Sequence, residues 1–282
     1  MADTAFQTQY RDEFIAGFEQ RQSLLRDTVT TEYEKTRGNA IVFLVADSGG
    51  AEAQTRGVNG LIPARADNLT QNTLTLSEWH DLVRKTGFNV FASQGDQRRI
   101  MQETTMGVLN RKIDTQIITE LATTTNEITV GGIPTIDAIQ HAQVKLQNAS
   151  VPWDSNITLL AQPSLMSYLE QSPEFSKASY VNMRPWAGED ANWRDMPMAY
   201  RWKNMLVITH PNLPGKGTSS ESSFMYHKSA IGHAADKETI TSAVGYNEEQ
   251  DYSYARASMY MGAKLLQTSG VVEIIADGSA RA

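Results

Sequence analysis

Cysteine is absent from the 282 residues, which removes disulfides, thiolate zinc sites, iron–sulfur clusters and thiol nucleophiles in one step. No stretch approaches the ~18 consecutive apolar residues of a membrane-crossing helix. The longest candidate, Ala40 to Ala46, reads as a strand. Positive charge is also short, with 25 Lys and Arg against 32 Asp and Glu and a formal net charge of -7. General nucleic-acid binding is thereby disfavoured, because neutralising phosphates takes basic side chains clustered on one face. Met1 to Tyr10 carries neither a basic patch nor an apolar run, so cytoplasmic synthesis without secretion is expected. What remains is a hydrophobic fraction of 40% and a charged fraction of 20%. Those values fit a folded chain with one large core or two modest ones, neither disordered nor membrane-bound.

Catalytic signatures are missing as well. Gly215-Lys216-Gly217-Thr218 lacks the Ser or Thr directly after Lys and the upstream glycine of a phosphate loop, so it reads as an exposed loop with a lysine. Ala46-Asp47-Ser48-Gly49-Gly50 follows an apolar strand but is not a dinucleotide fingerprint and no helical period follows it. The histidines His80, His141, His210, His227 and His233 have no metal-ligand spacing, and no Gly-x-Ser-x-Gly elbow occurs. Glu189 with Asp190, and Glu248, Glu249 with Asp251, sit in polar loops as solvated carboxylates. No cofactor, metal or catalytic residue is expected.

Along the chain, Phe6, Tyr10, Phe14 and Phe18 recur every four residues, with Leu24 and Leu25 beyond. One side of a helix would be strongly aromatic. Periodicity alone suits a core helix and an arm laid on a neighbour equally; the lack of a partner helix nearby favours the arm. From Asn39 to Ser77 a β-branched run, Gly-rich turns and a returning alternation around Leu74 and Leu76 predict a long hairpin. It has too few apolar groups to bury itself. Asp96 is the expected cap of a helix running to about Thr123, roughly 28 residues and roughly 40 Å long, with Met106, Leu109, Ile113, Ile117 and Leu121 in its stripe.

Gly131-Gly132-Ile133-Pro134 opens a second helix, Asn156 to Ala161 reads as a buried strand, and a short helix starts at Pro163. Ser172 to Arg201 is expected to be a long loop, followed by a strand at Met205 to Ile208. Pro211 to Ser223 reads as an exposed loop, and Phe224 to His227 as a strand. An alternating stretch from Tyr252 precedes Gly262 and the terminal strand Val271 to Ile275. Trp186, Trp193 and Trp202 share one region with Arg184, Arg194 and Arg201. Such residues suit stacking on nucleic acid or carbohydrate, and equally a protein interface, which is the preferred reading.

The order of elements resembles the Hong Kong 97-type (HK97-like) capsid proteins of tailed phages over nearly the whole chain. The ribbon from about Asp47 to Leu76, the helix from Asp96 to Thr123 and the ending from Tyr252 to Ile275 carry the resemblance. It implies an α+β fold with an N-terminal arm (1–45), an extended loop (46–78) and a peripheral domain with its spine helix (79–130). An axial domain (131–245) and return strands of the peripheral domain (246–282) complete it. In the ending, a glycine-bearing turn is expected to reverse the chain so that the last strand completes the sheet beside the spine helix.

The implied function is a structural major capsid protein, not an enzyme, self-assembling as hexamers and pentamers of an icosahedral shell around double-stranded DNA. The implied location is the virion. Partners are further copies of the chain, a portal, and scaffold or decoration proteins; there is no membrane. Contacts between copies are expected from Phe6, Tyr10, Phe14, Phe18, Arg56, Arg65, Trp186, Trp193 and Trp202. Some relatives weld their shells through a lysine on the extended loop, and Asp47 to Leu76 contains none, so a shell without that crosslink is expected. The short region before the hairpin leaves little room for a fused scaffolding segment. The alternatives are an encapsulin-type nanocompartment shell and an α/β enzyme using the Trp-rich loop as a substrate platform.

Overall fold

The computed structural model describes residues 22–33, 38–48, 50–65, 68–92, 97–176, 181–182 and 199–281. A short strand β1 (Thr30–Tyr33) precedes the hairpin strands β2 (Ala40–Asp47) and β3 (Asn68–Thr75), which run on into β4 (Ser77–Thr86), the short helix α1 (Gly87–Ala92) and the long helix α2 (Gln97–Leu121). Next come β5 (Glu127–Thr129), α3 (Ile136–Asn148), β6 (Ile157–Ala161), α4 (Pro163–Gln171), α5 (Pro173–Ser176), and the strands β7 (Val181–Asn182), β8 (Ala199–Trp202) and β9 (Met205–Thr209). The chain ends through β10 (Glu221–His227), β11 (Ile231–Ala235), β12 (Thr241–Asn247), β13 (Tyr252–Leu265) and β14 (Val271–Ala276).

Helix α2 forms as expected with one change: Met106, expected in its apolar stripe, is 37% exposed and lies off the buried face. Met101, Thr105, Leu109, Ile113, Ile117 and Leu121 are buried at four-residue spacing, so a mostly apolar stripe runs along the helix. Its 25 residues span roughly 38 Å at the standard rise. The expected cap, Asp96, lies outside the described residues.

Two sheets close on this helix. In the first, β13 pairs antiparallel with β4, β11 and β12, and β1 adds parallel to β11. Alternation along β13 turns Ala257, Met259, Met261 and Ala263 into the core beneath α2. Ala235 opposes Met261 and Thr241 opposes Ser258, so the longer segment between β11 and β12 bulges out, re-aiming that edge. The second sheet has seven strands in the order β5-β14-β10-β6-β9-β8-β7. It is a middle layer: Leu160, Phe224, Tyr226 and Val271 join the α2 core, while Leu159, Met225, Val272 and Ile274 pack with Ile139 and Leu146 of α3 and Leu165 of α4. Burial on both faces explains why β6, Ile-Thr-Leu-Leu-Ala, is apolar at four of five positions and buried at all five.

The hairpin stands away from both layers. Among the described residues β2 and β3 pair only with each other, and β3 passes into β4 through Leu76. Its base is seated where the first sheet has no side chains. A Cβ on Gly232 would come within 2.9 Å of the Phe43 ring, and one on Gly262 within 3.0 Å of Leu74 Cδ1. Phe43 and Leu74 close there over Ala234.

Several expectations change. Gly262 lies inside β13, not in a turn; the reversal falls at Thr268–Gly270, and β14 enters the seven-stranded sheet, although Val271 still reaches the α2 core. Strand β10 begins at Glu221, so the preceding loop is shorter than expected. Within Ser172 to Arg201, the expected loop contains α5, β7 and the start of β8. β8 joins β9 through Lys203 and Asn204, with φ of 47° and 65°, the backbone of a two-residue hairpin turn. The first hairpin strand begins at Ala40, within the range expected for the arm. Leu25, expected as part of an aromatic helix, is buried in the α2 core ahead of a single 3-10 turn at Arg26–Thr28.

Candidate functional site

The first exposed apolar surface is the hairpin. Period-two alternation sends Phe43 inward at the base and leaves Val42, Leu44 and Leu69 outward, with Leu44 61% exposed. Beyond the strands, residues 51–65 are exposed throughout. The tip closes on itself through Gly60 N to Gly57 O (2.8 Å) and Gly57 N to Leu61 O (3.0 Å). Val58, Leu61 and Ile62 project from it with no core to enter. Arg56 and Arg65 lie on the same exposed segment.

The second feature is the anchor of the N-terminal segment. Asp114 on α2, only 1% exposed, accepts from Ser23 Oγ (2.5 Å), Leu24 N (3.1 Å) and Leu25 N (3.2 Å). Thr28 Oγ1 donates to Leu25 O (2.7 Å) and meets the Tyr226 hydroxyl at 2.6 Å. Leu25 and Val29 complete the anchor from the apolar side. His210 Nδ1 accepts from Asn212 N (3.2 Å). The proton of a neutral ring therefore sits on Nε2, facing Asp114 Oδ2 at 3.5 Å. That contact does not meet hydrogen-bond geometry, so charge and dipole carry it. Burial pushes the Tyr226 phenol well above its ordinary range, and Asp114 adds to the shift.

None of Asp114, His210 or His233 was singled out from sequence as functional. One signal was available: Asp114 is an acid lying between Leu109, Ile113, Ile117 and Ile118 in the apolar stripe of α2, where a charge needs fixed partners.

Phe6, Tyr10, Phe14, Phe18, Trp186 and Trp193, expected at contacts, lie outside the described residues. Trp202 is a correction. It is 1% exposed and packs edge-on against Phe175, with ring centroids 5.4 Å apart. Its position on β8 between the sheet and α5 puts it in the chain's own core, so it presents no surface to a neighbour.

The loop around Lys216 has no phosphate cradle. Gly217 N already donates to Glu221 Oε1 (2.6 Å), and Ser164 Oγ donates to Glu221 Oε2. Asp154, His227 and Ser229 form a local chain, His227 Nε2 to Asp154 Oδ1 at 3.2 Å and His227 Nδ1 to Ser229 Oγ at 2.7 Å. Ser229 N also donates to that Nδ1, so the ring caps the turn after β10. Among the described residues no group of three His, Asp or Glu is placed to hold a metal ion, and no helix is long and apolar enough to cross a membrane.

Comparison with known proteins agrees with this architecture. No curated protein matches the chain in sequence. Among solved structures, it is similar to that from Mycobacterium phage Che8, at 18% identity and a TM-score of 0.71 over 97% of this chain and 98% of that one. It is similar to the capsid of Ralstonia phage GP4, at 12% identity and 0.70 over 98% and 96%, and to that of cyanophage P-SCSP1u, at 12% and 0.70 over 96% and 93%. These likenesses give the fold, that of the Hong Kong 97-type capsid proteins. The family model for phage capsid protein matches residues 2–277. The chain therefore belongs to the phage capsid protein family, the structural proteins of icosahedral phage shells.

Proposed function

We propose that copies of this chain form the hexamers and pentamers of a closed shell around double-stranded DNA, made in the host cytoplasm and joined there to a portal and to separate scaffold or decoration proteins. The observation that supports this reading is the hairpin. It is anchored at its base by Phe43 and Leu74, yet Leu44, Leu61 and Ile62 remain exposed along its length. A two-stranded ribbon is marginal alone in water, and burial of such side chains against a neighbour is worth ~25 cal/mol per Å² before ordering costs. Arg56 and Arg65 on the loop, and Phe6, Tyr10, Phe14, Phe18, Trp186 and Trp193, are proposed contacts between copies. The chain acts by assembly, with no catalytic step.

Electron microscopy of the purified protein tests this: uniform closed shells are expected, and a stable monomer at high concentration rejects the reading. Nucleic acid inside native particles distinguishes a virion coat from a compartment filled with protein. The stretch from Asp47 to Leu76 has no lysine to supply an amine nucleophile, and guanidinium stays protonated. Shells boiled in detergent should therefore give one band near the chain mass of 31.2 kDa; a ladder of covalent multimers contradicts the expectation.

A further inference from the structure

Four buried polar atoms have no hydrogen-bond partner among the described residues and belong to one neighbourhood: Arg26 Nε, His210 Nε2 and both ring nitrogens of His233. His233 is 0% exposed. It lies on β11, opposite Thr31 of β1 on one side and Ala263 of β13 on the other. Alternation puts Gly232 and Ala234 toward the hairpin base, and His233 with Ile231 and Ala235 toward the α2 core. The ring thus lies where the N-terminal segment meets the body. Arg26 bears on it from that segment and Asp114 from α2; Asp114 in turn faces His210, after β9, and acts on Tyr226 of β10. The two strands flanking His233 bring no charge at the paired positions.

We propose that His233 is an acid latch on the base of the N-terminal arm: neutral, it lets residues 22–33 lie sealed against the body, and protonated, it repels Arg26 and releases that segment while the remaining fold stays closed. Release is local for a geometric reason. The new charge arises on β11, in the body, whereas the like charge stands on the departing segment. Among the described residues that segment pairs with the sheet through the four-residue ladder of β1 on β11, beside the Asp114 and Leu25 anchor. Arg26 also has an exit: its Nη2 already donates to Glu238 O (2.5 Å) in the exposed bulge between β11 and β12.

Burial and the neighbouring Arg26 charge bring the His233 imidazole down from 6.5 to about 4, with Asp114 offsetting part of the shift. The sealed state therefore binds fewer protons than the open one. Its advantage is complete above pH 6.5 and is lost progressively as pH falls toward 4. Between pH 7 and pH 5 the opening equilibrium should rise about twentyfold.

Hydrogen exchange of the full chain, corrected for the intrinsic pH dependence of exchange, tests this by comparing amides of Thr30–Tyr33 with those of β6. In the wild type, protection of β1 should fall about twentyfold from pH 7 to pH 5 while β6 is unchanged. In His233→Leu, which keeps an apolar-sized side chain and cannot titrate, β1 protection should be independent of pH. Arg26→Gln, which removes the repelling charge from the other side of the seam, should move release to lower pH and serves if His233→Leu does not fold. Unchanged protection in the wild type, loss of β1 and β6 together, or release at the wild-type pH in both variants overturns the proposal.

Discussion

Replacing Asp114 tests whether one buried carboxylate anchors the segment from Ser23 to Val29 on the body of the subunit. Its two oxygens accept from Ser23 Oγ, Leu24 N and Leu25 N among others, and Oδ2 also faces Nε2 of His210. Asp114→Ala strands Leu25 N in the interior and leaves Ser23 Oγ and Leu24 N partly buried without this acceptor. With about 1–3 kcal/mol for each unsatisfied group and incomplete additivity, the expected loss is about 3–5 kcal/mol, the range found when a buried charged partner is removed. Asp114→Asn is the sharper probe. Its carbonyl can replace Oδ1, which accepts from Ser23 and Leu25, but its NH₂ then points at Leu24 N–H and at His210 Nε2–H. His210 cannot relieve the second clash by moving its proton, because Nδ1 is taken by Asn212 N. Asn should therefore cost about 1.5–3 kcal/mol, one lost bond to a charged acceptor. Urea unfolding of unassembled subunits measures both losses. If Asp114→Ala lies within about 1 kcal/mol of wild type, the anchor is not what the geometry indicates.

Two further outcomes follow from backbone positions. Gly262→Val places a branched side chain where the Leu74 side chain and the Thr75 carbonyl oxygen already lie within 3.0–3.4 Å of a Cβ. Overpacking should cost about 1–3 kcal/mol and displace the hairpin; a thermal melt reads the first effect and the yield of sedimentable shells the second, with unaltered yield contradicting the seat. Lys203→Gly relieves a side chain at φ 47° and should leave stability unchanged or raise it by up to about 1 kcal/mol. A clear drop in melting temperature would show that the Lys203 contact over the Trp202 ring (4.8 Å) outweighs the backbone relief.

Local pattern made α2, α3, β6 and β13 legible: the two helices and β13 bury a face whose spacing is written in consecutive residues, and β6 is a short, mostly apolar segment buried on both faces. What sequence did not reveal depends on partners far along the chain. β5 is three residues long and exists through parallel pairing with β14, across a separation of more than a hundred residues. The sheet that β14 joins is likewise a long-range choice, since an apolar strand fits either sheet by pattern. The β8–β9 hairpin escaped notice because its turn is Lys203–Asn204, whereas the usual sign of such a turn is a glycine. The Asp114 anchor was half legible: an acid inside an apolar stripe can be seen from α2 alone, but Ser23 to Leu25, some ninety residues earlier, cannot be paired with it by any local rule.

Neighbouring residues of β2 separate folding from assembly. Phe43 faces the body and is buried with Leu74 and Ala234, whereas Val42 and Leu44, on the opposite face, are 48% and 61% exposed in the isolated chain. Phe43→Ala leaves a cavity at the hairpin base and should cost the subunit about 2–4 kcal/mol, near the lower end for a large aromatic because the cluster is small. The double variant Val42→Thr with Leu44→Thr removes apolar surface that belongs to no core cluster among the described residues and keeps strand-favouring side chains at both sites. Subunit stability should change by no more than about 0.5 kcal/mol, while the concentration needed for shell formation rises at least about tenfold, equivalent to 1.4 kcal/mol. Urea unfolding and light scattering read the two quantities on the same samples. If the Thr pair destabilised the subunit, or left the assembly threshold where it was, the outward face of the ribbon would not be an assembly surface, because the period-two geometry of a strand gives adjacent positions opposite environments.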